Sequence, residues 1–233
     1  MDTSFDISAY IIPALIIVGF AILIFVGFYF SAKSRILREL KKVRRKAIHS
    51  ARENEYVKIV GKAKHAGEPL IAPLSNRKCV YYAVKVEEQS GKHWKTIIDD
   101  VVFQDFFIST GTESAILNLK VQKDNTKRIY LVTDHSINSG FFKKPDAEIE
   151  RYLQLKGNKS TGFFGMNKTL RYKESVIELN EEIAVMGIAK WQTIDTPVDG
   201  YSDSRVLTLT GSKEQKLLVT DEPKAMKRVK RKL

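Results

Sequence analysis

The chain has 233 residues, including 39 lysines and arginines against 27 acids, which makes its formal net charge +12. Its single cysteine excludes an intrachain disulfide and favours a reducing compartment. One cysteine and four scattered histidines also exclude a zinc site built from paired Cys and His ligands.

The N-terminal segment has the pattern of a membrane-spanning helix. Residues 9–30 carry no charge, and a helix of that length is about 33 Å long, enough for a hydrocarbon core of about 30 Å. A cleaved signal peptide and a buried core helix are the alternatives, but the acidic start and the length of the run argue against both. Residues 1–8 are then an extracytoplasmic tail.

A basic run follows the apolar segment and sets the expected orientation. We call it the juxtamembrane basic cluster, and it consists of Lys33, Arg35, Arg38, Lys41, Lys42, Arg44, Arg45 and Lys46. The positive-inside rule predicts a single-pass protein with its N-terminus outside and its C-terminal domain in the cytoplasm. The cluster is expected to contact anionic lipid headgroups. Nucleic-acid binding is a weaker alternative, because the aromatic residues have strand-like spacing and form no RNP-type motif.

The cluster lies in a predicted juxtamembrane helix over residues 31–55 that continues the anchor. Ile36, Leu40, Val43 and Ala47 recur at spacings of three and four and form one apolar stripe. We expect this stripe to pack on the following domain. Contact with the bilayer and pairing with a second copy, which would make a homo-oligomer, are the alternatives.

Residues 56–233 are predicted to form one domain of mainly β (α+β) class, barrel-like or sandwich-like, with a few short helices. Alternating patterns and turn residues predict strands at 56–63, 79–88, 94–100, 101–110, 115–122, 128–133, 170–179, 183–191, 205–209 and 216–220. A helix is predicted at 146–155, a loop at 157–165, and a short helix from Glu222. Residues 60–64 weakly resemble residues 186–190. The chain ends in a second basic cluster, Lys224, Lys227, Arg228, Lys230, Arg231 and Lys232.

No catalytic, metal or cofactor site is predicted. Residues 157–162 have the glycine spacing of a phosphate-binding loop, but phenylalanines occupy 163–164 where Lys and Ser or Thr are needed. The run 133–136 contains Asp, His and Ser, which as sequence neighbours seldom face each other. Residues 99–100 are two aspartates that a strand would place on opposite faces. Cys79 is expected to be a small buried apolar residue.

Several motifs together resemble the GIDE family, whose domain lies beside a transmembrane helix. The segments are PLIAPLS at 69–75, CVYY at 79–82 and VEE at 86–88, followed by later glycine and glutamate positions. The matching residues are Gly61, Pro69, Leu70, Pro73, Ser75, Cys79, Tyr81, Tyr82, Glu87, Trp94, Gly111, Glu174 and Gly187. The resemblance implies a membrane-adjacent binding or regulatory module. We expect the loop 69–75 and the pair Tyr81-Tyr82 to determine the fold rather than bind a partner.

The resemblance does not extend to the activity of the mitochondrial RING ubiquitin ligases in that family. The chain has only five Cys and His residues in total, too few for a RING, and Ile108-Ser109-Thr110-Gly111 lacks the family's acidic residue. Some prokaryotic members similarly have one helix and no RING, which implies a prokaryotic inner-membrane protein. We therefore expect a non-enzymatic protein-interaction or scaffold module with an unknown protein partner. An enzyme with an unrecognised site near Asp99, Asp134 and His135 is the alternative.

Overall fold

The computed structural model describes residues 8–139, 145–162, 166–193 and 205–227. The helices are α1 (Ser8–Phe30), α2 (Ala32–Lys42), α3 (Ala147–Leu155) and α4 (Pro223–Met226). The strands are β1 (Tyr56–His65), β2 (Leu70–Ile71), β3 (Lys78–Ser90), β4 (His93–Phe103), β5 (Phe106–Ser109), β6 (Ser114–Leu117), β7 (Lys127–Tyr130), β8 (His135–Asn138), β9 (Leu170–Glu178), β10 (Glu182–Thr193), β11 (Arg205–Thr210) and β12 (Leu217–Thr220). The predicted mainly β class with a few helices is confirmed.

Five strands close into a barrel. The order around the ring is β1, β5, β6, β11 and β10, and β10 pairs again with β1. The pairing of β6 with β11 is parallel, whereas the other pairs in the ring are antiparallel. The barrel interior is packed with apolar side chains such as Val57, Ile59, Phe106 and Leu207. β12 pairs with β10 outside the ring, and β7 pairs with β12, so the sheet extends beyond the barrel.

A second sheet is built around the long strand β3. β9 pairs with one side of β3, β4 and β2 pair with the other, and β8 pairs with β9. At one end of this sheet Val80, Tyr81 and Ile177 enter the barrel core. Further along the sheet, side chains such as Val86 and Tyr172 pack beneath α3. The second sheet therefore shares one core with the barrel and has another of its own.

The helix α2 packs on the outer face of the barrel, as the sequence predicts. Ile36 and Leu40 are fully buried there, in a layer with Val60 of β1, Ala184 of β10 and Leu218 of β12. This layer is separate from the barrel core because it covers the opposite face of the same strands. α2 begins only one residue after the C-terminal end of the apolar helix α1. The end of α1 is therefore held close to the barrel by the docked helix α2.

The prediction of a juxtamembrane helix as far as residue 55 is wrong. α2 ends at Lys42, and the chain then runs extended beside β1, where Lys46 N–H donates to Lys58 O at 2.9 Å. A single 3₁₀ turn, Ile48–Ser50, follows and places Ile48 in the barrel core. Pairing with β1 satisfies the backbone groups that a longer helix would have bonded internally.

The helical segment is also interrupted at Ser31, between α1 and α2. Arg38 Nη1 donates to Tyr29 O, and the Arg38 guanidinium lies 3.9 Å from the centre of the Tyr29 ring. In one continuous helix residues 29 and 38 would be about 13.5 Å apart along the axis, beyond the reach of an arginine. The chain therefore bends at Ser31, whose hydroxyl donates to Phe28 O at 2.8 Å and accepts from Ser34 N–H at 3.2 Å.

The helix α1 is long and apolar enough to cross a membrane. The stretch Pro13–Phe30 contains no charged residue, and none of it is buried against the domain. An apolar helix exposed on all sides is stable in a bilayer, because its backbone groups are satisfied internally and its side chains contact lipid. Residues 1–7 of the predicted tail lie outside the described residues.

Some strand boundaries differ from the prediction. β4 continues without a break from 93 to 103, because it pairs with β3 as far as Phe103 opposite Tyr81. The predicted strand 101–110 is therefore wrong: residues 101–103 complete β4, and β5 is a separate strand. β6 ends at Leu117 instead of 122. β7 ends at Tyr130 instead of 133, where Val132 N–H instead donates to the Asp221 carboxylate at 2.8 Å.

The two predicted later helices are present with different lengths. α3 has Asp146 as its N-cap, which accepts from Ile149 N–H at 2.9 Å, and this confirms the predicted start. α4 has four residues, Pro223–Met226. Residues 163–165 of the predicted loop and the basic residues Arg228, Lys230, Arg231 and Lys232 lie outside the described residues.

Candidate functional site

A buried lysine lies in the layer between α2 and the barrel. Successive side chains of β1 point to opposite faces, so Val57 and Ile59 enter the barrel core while Tyr56, Lys58 and Val60 face α2. Lys58 is only 4% exposed. Lysines are rarely buried unless they are paired with an acid. Lys58 is therefore unusual in an otherwise apolar layer.

The ammonium group of Lys58 has few favourable contacts. Its Nζ donates to Leu40 O, near the C-terminal end of α2, across a long 3.4 Å. Among the described residues no carboxylate forms an ion pair with it. Burial, and secondarily the nearby Arg45 guanidinium, lowers the pKa of Lys58. Such a group is an incomplete site for an anion, because an acceptor with negative charge would offset the cost of burying the ammonium.

Lys58 lines a basic cavity of about 500 Å³ where the chain leaves α2. The cationic side chains around it are Arg44, Arg45, Lys46, Lys58 and Lys227. The acid that lines it, Glu113, is engaged by His49, whose Nδ1 lies 2.7 Å from Oε1 and whose backbone N–H donates to Oε2 at 3.2 Å. The cavity therefore has an excess of positive charge, which favours an anionic ligand.

A second cavity of about 400 Å³ shares Lys58 and Lys227 with the basic cavity. Its apolar part is formed by Leu37, Leu40 and Ala225. Its lining is completed by two exposed lysines, Lys41 and Lys224. We call the two cavities together the Lys58 groove: one end is cationic, and the other combines an apolar floor with lysines at its edge.

The structure separates the juxtamembrane basic cluster into two groups. Four members make contacts within the protein. Lys33 pairs with the buried Glu222 at 2.6 Å, and Lys46 Nζ lies 2.6 Å from Glu55 Oε1. Arg38 donates to the last turn of α1, and Arg45 Nη2 donates to Val60 O at 3.0 Å. The others are exposed and form no ion pair within the described part of the chain: Arg35, Lys41, Lys42 and Arg44. Contact of the whole cluster with headgroups stays a prediction, and the second group is the one free to make it.

Three glycines among the residues of the predicted motif occupy positions that disfavour a side chain, two because of close contacts and one because of its backbone conformation. A Cβ on Gly61 would lie 2.4 Å from Ser109 O, and one on Gly187 would lie 2.9 Å from Thr210 O. Gly111 has a φ of +110°, which favours glycine. The segments that contain Gly61 and Gly187 and resemble each other belong to the paired strands β1 and β10. These glycines therefore allow close approach of strands and a turn.

The motif residues around Cys79 are part of the packing. Cys79 is fully buried, its Sγ lies 3.6 Å from Leu70 O, and burial raises its pKa to about 11, so the thiol is not poised as a nucleophile. Tyr81 stacks on Phe103 in the barrel core, with ring centres 6.0 Å apart. Tyr82 is half-buried beside the second core.

The proline-containing segment is held by a buried glutamate. Glu174 is fully buried, and its Oε1 accepts from Leu74 N–H at 2.8 Å. Pro69, Pro73 and Ser75 are half-buried in the same segment. The segment is therefore fixed to β9.

Two further motif residues meet through Arg171. Arg171 Nε donates to Glu87 Oε2 at 2.5 Å, and its guanidinium lies 4.3 Å from the centre of the Trp94 ring. The hydrogen bond from Arg171 lowers the pKa of Glu87. The arrangement connects β9, β3 and β4 across the second sheet and is consistent with a structural role.

The residues named for the enzymatic alternative do not converge. Asp99 is exposed, whereas Asp100 accepts from Tyr152 O–H at 3.0 Å and pairs with Lys156 at 2.7 Å. Asp134 is exposed and accepts from Val176 N–H at 2.8 Å, and neither it nor His135 lines the Lys58 groove. Asp100 therefore supports the packing of α3, and Asp134 supports the backbone of β9.

Sequence reasoning missed Lys58, because Tyr-Val-Lys-Ile-Val is the ordinary pattern of a strand with one face in water. Only the docking of α2 converts that exposed position into a buried one. Comparison of the chain with known protein families, with curated proteins and with solved structures finds no match.

Proposed function

We propose that this protein is a single-pass membrane protein whose β-rich domain is a binding or scaffold module held beside the bilayer. The observation that carries the proposal is the direct succession of two helices: α1 is apolar on all sides, and α2 is docked on the barrel through Ile36 and Leu40. The docked helix keeps the module close to the end of the span, and confinement there raises its effective concentration for neighbouring partners.

The orientation follows from the charges around α1. Asp2 and Asp6 precede the span, and the juxtamembrane basic cluster follows it, so the N-terminus is outside and the module is cytoplasmic. The exposed cations Arg35, Lys41 and Lys42 on α2 support contact with anionic headgroups. The resemblance to RING-less GIDE proteins supports placement in a prokaryotic inner membrane and a role without ligase activity.

Thiol labelling of the full chain tests the topology. In a Cys79→Ser background, Asp124→Cys places one fully exposed thiol on the module, and Thr3→Cys places one before the span. A membrane-impermeant maleimide added to intact cells is expected to label position 3 alone, and position 124 only after the membrane is opened. Labelling of position 124 in intact cells would contradict the proposed orientation.

Co-purification from gently solubilised membranes tests the binding role. The full chain is compared with a form beginning at Ser31, which retains α2 and so keeps the apolar layer covered. A protein retained in constant ratio by both forms would identify the partner. Recovery of phospholipid alone with the full chain would argue against a protein scaffold.

A further inference from the structure

The apolar layer beneath α2 contains one buried lysine. Lys58 occupies an outward position of β1 between Tyr56 and Val60, is more than nine-tenths buried, and has only a long contact to Leu40 O. An ammonium group has three donors, and one weak acceptor leaves most of this capacity unused. An apolar residue would pack here without that cost, so the lysine indicates a ligand that supplies negative charge.

The groove around Lys58 also indicates the chemistry of that ligand. Its cationic end offers Arg44 and Lys227, which form no ion pair within the described residues, while Glu113 is occupied by His49. Its other end offers the apolar side chains of Leu37 and Ala225. A molecule that fits both ends carries an anionic group next to a hydrocarbon portion. A free inorganic anion would use only the first end.

The position of the groove relative to α1 makes lipid available to it. α2 is about 16 Å long, and the groove lies along it and at its C-terminal end. The bend at Ser31, which lets Arg38 reach Tyr29, turns α2 back toward the end of the span. Resting on the proposed membrane topology, we infer that the Lys58 groove binds one anionic phospholipid, with its phosphate at Lys58 and Lys227 and acyl carbons against Leu37 and Ala225.

The test uses the full chain in nanodiscs and counts bound lipid. The nanodiscs contain phosphatidylcholine with or without one-fifth phosphatidylglycerol, and native mass spectrometry measures the lipid that stays with the released protein. The wild type is expected to retain one phosphatidylglycerol per chain in preference to phosphatidylcholine. Retention of both lipids equally, or of neither, would overturn the inference.

The variants separate this groove from the general positive charge of the protein. Lys58→Met keeps the length of the side chain without its charge and is expected to weaken phosphatidylglycerol retention about tenfold or more, the effect of losing one charge-assisted bond in a buried site. Lys62→Met is the matched control, because Lys62 is an exposed residue of the same strand. This variant should retain as much phosphatidylglycerol as the wild type. Lys227→Gln is a second groove variant at an exposed position, for which we expect weaker retention with an unaltered melting temperature.

Two additional measurements distinguish a lipid site from a free-anion site, and a failure of this inference from a failure of the proposed function. Inorganic phosphate at millimolar concentration should not displace the lipid; full displacement would show that the groove binds a free anion and would refute the lipid assignment. The thiol-labelling topology of Lys58→Met should equal that of the wild type. Correct topology with no phosphatidylglycerol preference would refute only this inference, whereas a module labelled in intact cells would refute the proposed function.

Discussion

Replacing Leu40 with alanine is expected to release α2 from the barrel while the barrel stays folded. Leu40 is 0% exposed and packs in the outer layer with Val60, Ala184 and Met186. Truncation of a buried leucine to alanine costs about 2–5 kcal/mol, because the lost methyl groups leave a cavity. The barrel core contains none of these residues, so the cost falls on the docking of α2 rather than on the barrel.

The size of the expected effect follows from the side chains that hold α2 on the barrel. Ile36 and Leu40 are its two fully buried residues, and full burial of such a side chain contributes about 1.5–3 kcal/mol, which makes about 3–6 kcal/mol for the pair. Two ion pairs from α2 add to this, Lys33–Glu222 at 2.6 Å and Glu39–Arg128 at 2.5 Å, although partial exposure to water screens both. A loss of about 3 kcal/mol is therefore a large part of the docking free energy and raises the undocking constant about a hundredfold.

Hydrogen exchange of the full chain in nanodiscs measures this effect. An undocked helix of 11 residues is marginal in water, so peptides covering α2 should exchange about a hundredfold faster in Leu40→Ala, while β10 and β11 keep their protection. Leu155→Ala is the control, because Leu155 is 75% exposed. Equal acceleration in β10 and α2, or unchanged exchange in α2, would refute the idea of a separately docked helix.

Two other variants test the barrel and its titratable groups. Gly61→Ala is expected to cost more than about 2 kcal/mol of unfolding free energy, because the added Cβ would meet Ser109 O at 2.4 Å; Gly67→Ala, with open space around it, is the control in thermal unfolding. Burial raises the pKa of Asp221 from 3.8 to about 6. A raised acid pKa stabilises the fold at low pH, and this contribution, at most about 3 kcal/mol in total, is lost progressively from about pH 3.8 to about pH 6, so about half of it is lost above pH 5. Asp221→Asn should therefore reduce the fall in melting temperature between pH 5 and pH 7.5, whereas Asp124→Asn, at a fully exposed position, should not; identical pH profiles for Asp221→Asn and the wild type would contradict this assignment.

Local patterns predicted the elements whose signals are contained in a short stretch of chain. The uncharged run 9–30 is long enough to determine a helix by itself, and Asp146 before an amphipathic segment marks the start of α3. Alternation along 79–88 and 183–191 reflects strands with two different faces. In each case the residue types within one element carry the information, because helix and strand periodicity depend only on neighbours along the chain.

The ends of helices and strands were harder to predict, because contacts with distant segments determine them. Nothing in residues 43–55 opposes a helix strongly, yet the backbone of Lys46 bonds to Lys58 and Ile48 enters the barrel core. β7 ends early because Asp221, far away in sequence, accepts the N–H of Val132. These outcomes depend on contacts between distant segments, which periodicity does not describe.

The sequence by itself determined the apolar helix α1, the β-rich class and the positive charge that follows α1, because these are properties of composition and spacing. The tertiary structure decided which charges remain free: Lys33 and Lys46 are paired, while Arg35 and Lys41 are exposed without an ion pair among the described residues. It also decided that Lys58 is buried. A lysine at an outward strand position is exposed until another element covers it, and only the packing of α2 across β1 encloses that charge in a groove.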